Sequence, residues 1–168
     1  MSKSNSSFKI PDPFIMTPDK VTEIVYKYLS ENGFMVTRGS SNSDVDVRAK
    51  KNSYELIIES RGNQAYKNRG TDKVFDGSQI DIHLSEHITQ IMRFQQIISS
   101  DCEPIFIMAN PLIPRIVQKV EKYSKALDKL EIIRLWLDID ETLMVQCQEE
   151  LQNKIANILC LNSLAKRL

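Results

Sequence analysis

Apolar residues recur at helical spacing over Val21, Ile24, Val25, Tyr28 and Leu29, which predicts an amphipathic first helix. Thr17-Pro18-Asp19 marks its start, with a hydroxyl to cap the first turn, a proline at the first helical position and an acid near the positive end of the dipole. Asn32-Gly33 marks its end. From Phe34 the pattern changes to short β-prone runs, Phe34–Arg38, Asp44–Lys50 and Tyr54–Ser60, with Lys51-Asn52-Ser53 as the turn between the last two. Strict alternation would place Asp44, Asp46 and Arg48 on one side of the second run and Val45 and Val47 on the other. In the third run Ile57, Glu59 and Arg61 share a side.

Residues 62–76 are polar, glycine-punctuated and non-periodic, as a loop is. A long helix is expected from about 77 to 99 on Ile80, Leu84, Ile88, Ile91 and Ile98. The unbroken apolar run Pro104–Ala109 reads as a strand covered on both faces. A further helix is expected over Pro111–Leu130, with Ile116, Val120, Tyr123, Leu127 and Leu130 inward, and another buried strand over Ile132–Ile139. After Asp140 the pattern is helical to the end, with Thr142–Gln146 as an optional short strand first. A meander followed by crossover units predicts an α/β fold, a central mixed sheet of about five strands flanked by helices. Residues 1–16, rich in Ser, Lys and Pro, are expected to form a flexible arm ahead of one domain over 17–168.

Composition narrows this picture only slightly. A chain of 168 residues, 42% hydrophobic and 26% charged, suits one domain with a real core. No apolar run approaches the roughly 18 residues of a membrane helix, and the N-terminus lacks a signal-peptide stretch, so a cytoplasmic protein with no membrane partner is expected. Cys102, Cys147 and Cys160 are far apart and form no CxxC pair, which suits reduced thiols. Formal net charge is zero, so only local clustering can attract nucleic acid. Between Arg48 and Lys73 there are seven bases, Arg48, Lys50, Lys51, Arg61, Lys67, Arg69 and Lys73, against three acids, Glu55, Glu59 and Asp72. Tyr66 in the same stretch could stack on a base.

Two carboxylates on neighbouring strands, facing the same way, repel unless a positive charge sits between them. Magnesium meets this need, taking one or two carboxylates plus waters and substrate phosphate oxygens. Such a site can polarise a phosphodiester and lower the pKa of an attacking water.

Val45-Asp46, then Glu59-Ser60-Arg61 thirteen positions after the first acid, with Leu56-Ile57-Ile58 as the apolar approach, resembles the PD-(D/E)xK nuclease superfamily. The order of surrounding elements over about residues 18–139 is similar too. The resemblance implies a restriction-endonuclease-like fold and a Mg2+- or Mn2+-dependent DNA endonuclease. It implies that Asp46 and Glu59 hold the metal with the Ser60 carbonyl, that Asp44 could share the role of Asp46, and that Glu23 of the first helix could join them. It makes Gln79, at the start of the next helix, a further catalytic candidate, with Gln90 a later option. Arg48, Lys67, Arg69, Lys73 and His83 are the candidate DNA contacts. Two departures stand out. Val45 replaces the motif's proline, and Arg61 replaces its lysine; arginine keeps its proton, so it can position and stabilise but cannot serve as a base. Lys67 or Lys73 could take over that role. The alternative is a catalytically impaired nuclease fold acting as a nucleic-acid-binding or regulatory module.

Competing patterns carry less. A half-exposed hairpin with ordinary polar outer positions accounts for the same charges. His83-Leu84-Ser85-Glu86-His87 fits HxxEH, in which two histidines bind zinc, but the acids available as a third ligand, Glu141, Glu149 and Glu150, sit in no supporting motif. Leu151, Ile155, Ile158 and Leu159 form a helical stripe suited to completing the core, with a homodimer seam as the alternative.

Overall fold

Thr17 caps the first helix as its hydroxyl suggests: the Lys20 N–H donates to Thr17 Oγ1 at 3.3 Å, and α1 (Pro18–Glu31) buries Val21, Ile24, Val25 and Leu29. The computed structural model describes residues 1–40 and 44–161. After β1 (Lys3–Ser4) and α1, the meander is β2 (Met35–Arg38), β3 (Val47–Lys51) and β4 (Tyr54–Ser60), each antiparallel to the next. The hairpin between β3 and β4 turns on Asn52, which takes φ 54°, a left-handed conformation that asparagine tolerates. β5 (Lys73–Val74) leads into α2 (Gly77–Ile97), and β6 (Glu103–Pro111) returns parallel to β4. α3 (Pro114–Glu121) and α4 (Ser124–Lys129) then cross to β7 (Ile132–Leu137), parallel to β6. β8 (Leu143–Gln146) adds antiparallel to β7, and α5 (Glu149–Ile158) follows.

The result is an α/β fold with a mixed sheet in the order β2-β3-β4-β6-β7-β8, six strands among the described residues. One face of the sheet, including Leu56, Ile58, Ile107 and Leu135, packs with Val21, Val25 and Leu29 of α1 and Ile155 of α5. The other, with Met108, Ile132 and Trp136, packs with Ile80, Leu84 and Ile91 of α2 and with Ile116, Val120 and Leu127 beyond it. Double coverage explains why Leu56-Ile57-Ile58 of β4 and Pro104–Ala109 of β6 are apolar at consecutive positions. Among the described residues no helix is long and apolar enough to cross a membrane.

Several expectations need correction. Residues 1–16 are tied to the domain. β1 pairs antiparallel with β5 in a separate two-stranded ribbon, and such short strands leave no periodic signal in sequence. Asn63, fully buried, accepts from the Met16 N–H at 2.8 Å and donates to Phe14 O and to Asp12 Oδ2, while Arg115 forks onto Asp12 at 2.6 and 2.5 Å. The helix expected over Pro111–Leu130 is two helices, because Pro111 ends β6 and Tyr123 leaves helical geometry at φ −113°, ψ 3°. Tyr123 is consequently exposed rather than inward. The optional strand after Asp140 forms as β8, and the part of the final helix expected beyond residue 161 lies outside the described residues.

Candidate functional site

The site lies at the end of β4 where β3 leaves the sheet. The register Val47↔Ile58, extended by one residue, sets Asp46 opposite Glu59. The strict alternation expected here fails: the chain bends at Asp44 and Asp46, so Val45 packs with Ile57 and Phe94, while Val47 belongs to the core on the α1 side. The bend lets a side chain take over a ladder position. The Ser60 N–H donates to Asp46 Oδ2 at 2.8 Å, and the Asp46 carbonyl accepts from the Gly39 N–H at 3.1 Å.

Glu59 is 4% exposed, and its carboxyl is hydrogen-bonded to that of Asp46. Burial, then the shared hydrogen bond and the negative charge of Asp46, push its pKa up to about 8, against the opposing pull of Arg61. With its pKa lifted to about 8, the Glu59 carboxyl is protonated near neutral pH. Arg61 Nη1 lies 3.5 Å from Glu59 Oε2 and donates to the Ser60 carbonyl at 3.0 Å. From α2, His87 Nε2 sits 2.9 Å from the Glu59 carbonyl oxygen; a carbonyl only accepts, so Nε2 carries the hydrogen. Burial and the nearby Arg61 charge push the His87 pKa down to about 3, so the ring is neutral.

Asp46, Glu59, Ser60 and Arg61 are therefore brought together. Asp44 is exposed at the bend and accepts from the Ser40 N–H and hydroxyl. Glu23 does not join the site: it is 63% exposed on α1, beside Lys20, and α1 packs on the opposite face of the sheet. Gln79 has a different occupation. Its side chain accepts from the Asp76 N–H at 3.2 Å while Asp76 accepts from the Gln79 N–H at 2.9 Å, a capping box at the start of α2. Arg48 clamps buried Glu55 through Nε at 2.9 Å and Nη2 at 2.7 Å. Lys67 and Lys73 are exposed, and Arg69 stacks on the Tyr66 ring at 4.8 Å. His83 contacts the Phe75 ring and Glu86, whereas His87 faces β4, so the two histidines do not converge on one ion. No group of three His, Cys, Asp or Glu suited to a metal occurs among the described residues. The three cysteines are free thiols, and burial pushes Cys147 up to about 11.

Compared with protein families, curated proteins and solved structures, the chain has no match.

Asp46 and Glu59 fit a hard divalent cation on the chemistry of the donor set: two oxygen-bearing carboxyls, forced together, whose mutual repulsion an ion would relieve. The Ser60 carbonyl fits less well, since Arg61 already donates to it. Sequence reasoning missed the contact between His87 and the Glu59 backbone. His87 falls on the buried stripe Ile80, Leu84, His87, Ile91 and Phe94, and a histidine at a core position was the available signal.

Proposed function

We propose that this protein is a divalent-metal-dependent phosphodiesterase acting on DNA, with its centre at Asp46 and Glu59. The observation that carries the reading is the burial of Glu59 with the carboxyl of the partly buried Asp46 against it, which together lift Glu59 to about 8. An ion pair or a purely structural acid needs no second carboxyl against it. The sequence resemblance to PD-(D/E)xK nucleases points the same way, because it implies one acid just before β3 and the other near the end of β4, within a similar order of main elements.

Asp46 and Glu59 would hold Mg2+ or Mn2+, which when bound supplies charge stabilisation at the phosphodiester and a lowered pKa for the attacking water. The Ser60 N–H fixes the Asp46 carboxylate, and His87 fixes the Glu59 backbone. Arg61 contributes a permanent positive charge beside Glu59, suited to phosphate oxygens and unable to accept a proton. Lys67, Arg69 and Lys73, exposed in the segment that follows β4, supply charge for the DNA backbone.

A second reading has its own observation. Arg61 donates to the Ser60 carbonyl, a position the first reading would leave to the metal. On that basis the protein is a nucleic-acid-binding module with impaired catalysis. Incubation of plasmid, branched and single-stranded DNA with Mg2+ and with Mn2+ separates the two. Cleavage that Glu59→Ala reduces at least about 100-fold supports the enzyme. Salt-dependent binding without cleavage, with cleavage gained in Arg61→Lys, supports the module. DNA neither cut nor bound in either metal removes both.

A further inference from the structure

Behind Arg61 lies a small cavity of about 20 Å³ whose wall includes His83, His87, Asn110 and Gly62. Two of these residues bring buried polar atoms that have no protein partner, His87 Nδ1 and Asn110 Nδ2. His87 is fully buried and Asn110 is 4% exposed. A buried polar atom left unsatisfied is costly, so each calls for a partner.

Their chemistry is complementary. Nε2 of His87 is the protonated nitrogen, fixed by the Glu59 carbonyl at 2.9 Å, so in the neutral ring Nδ1 presents a lone pair. Asn110 Nδ2 presents N–H groups. Asn110 follows Ala109, whose carbonyl accepts from the Arg61 N–H at 3.0 Å, so the amide belongs to the strand position beside Arg61. A cation is disfavoured in this space by the Arg61 guanidinium and the amide N–H, and an anion by the Nδ1 lone pair. A neutral molecule that both donates and accepts suits it. The volume admits about one water, since roughly 10–15 Å³ suffices.

We propose that this cavity binds a single internal water, which donates to His87 Nδ1 and accepts from Asn110 Nδ2, with the Arg61 guanidinium as its third neighbour. The water ties α2 to β6 behind the end of β4, and His87 and Asn110 become positioning residues for the Glu59-Ser60-Arg61 segment. That last consequence rests on the proposed active site; the water itself does not.

The test is a high-resolution crystal structure of the full chain together with nitrogen-15 spectra of its histidine side chains, in the wild type and in Asn110→Val. Expected are a discrete solvent peak about 3 Å from both atoms, an Nε2–H tautomer, and an Nδ1 resonance displaced from the free-acceptor position. In Asn110→Val the peak should vanish and the resonance should move toward that position. The proposal is overturned by wild-type density without such a peak, by Asn110 turned onto a protein partner, or by an Nδ1 resonance at the free-acceptor position. The wild-type data decide the matter even if the variant does not fold. Mn2+ titration of the same sample, read as paramagnetic broadening near Glu59, tests the metal reading separately: no broadening with the water in place removes the metal and upholds the water.

Discussion

Glu59 concentrates the chemistry of this molecule because three influences act on one carboxyl. Burial and the Asp46 carboxyl raise its pKa from 4.5 to about 8, and Arg61 offsets only part of this. The folded state therefore holds a proton that the unfolded chain releases. Below about pH 4.5 both states are protonated; between there and about 8 only the folded state is, so unfolding free energy falls as pH rises; above about 8 the loss is complete. Its size is on the order of a few kcal/mol. In Glu59→Gln this fall should disappear, leaving a variant more stable than wild type at pH 9 and similar to it at pH 5. Urea unfolding at three pH values measures it, and parallel curves for the two proteins would refute the assignment.

The helices and strands place these groups through local devices that can be tested one at a time. The start of α2 depends on the Asp76–Gln79 capping box. Asp76→Ala should cost about 1 kcal/mol of stability. Gln79→Ala should cost less and leave DNA cleavage at the wild-type rate; a loss of cleavage far beyond the loss of folded protein would return Gln79 to the catalytic centre. The N-terminal segment depends on the Asp12–Arg115 fork and on Asn63. Because Asp12 is buried, Arg115→Ala leaves a charge without its partner and should cost about 3–5 kcal/mol. Thermal unfolding reads this cost, and faster proteolysis within residues 1–16 reads the release of the segment.

At the scale of the whole molecule, zero net charge means that long-range attraction to DNA has to come from a local surface. Lys67, Arg69 and Lys73 lie exposed in the segment between β4 and α2, whereas Arg48 is committed to Glu55. Anisotropy titrations across salt concentrations should give a shallow dependence. Lys67→Ala should lower the salt slope by about 1, as one phosphate contact does, with little change between DNA sequences. An unchanged slope would move the contact surface elsewhere.

The sequence by itself determined the order of the main elements from α1 to β7 and most of their positions, because each follows from local period, capping residues and turn chemistry. Thr17-Pro18 starting α1 and the apolar runs becoming β4, β6 and β7 are of this kind. The β1–β5 ribbon, the bend that turns Val45 away from Val47, the exposure of Glu23 and the grip of His87 on Glu59 were decided by tertiary structure alone. Each depends on which segments meet across the sheet, and two-residue strands, single bends and buried polar contacts carry no period for a one-dimensional pattern to display. The raised pKa of Glu59 joins both sources: sequence places the two acids on neighbouring strands, and burial in the folded chain makes their proximity costly.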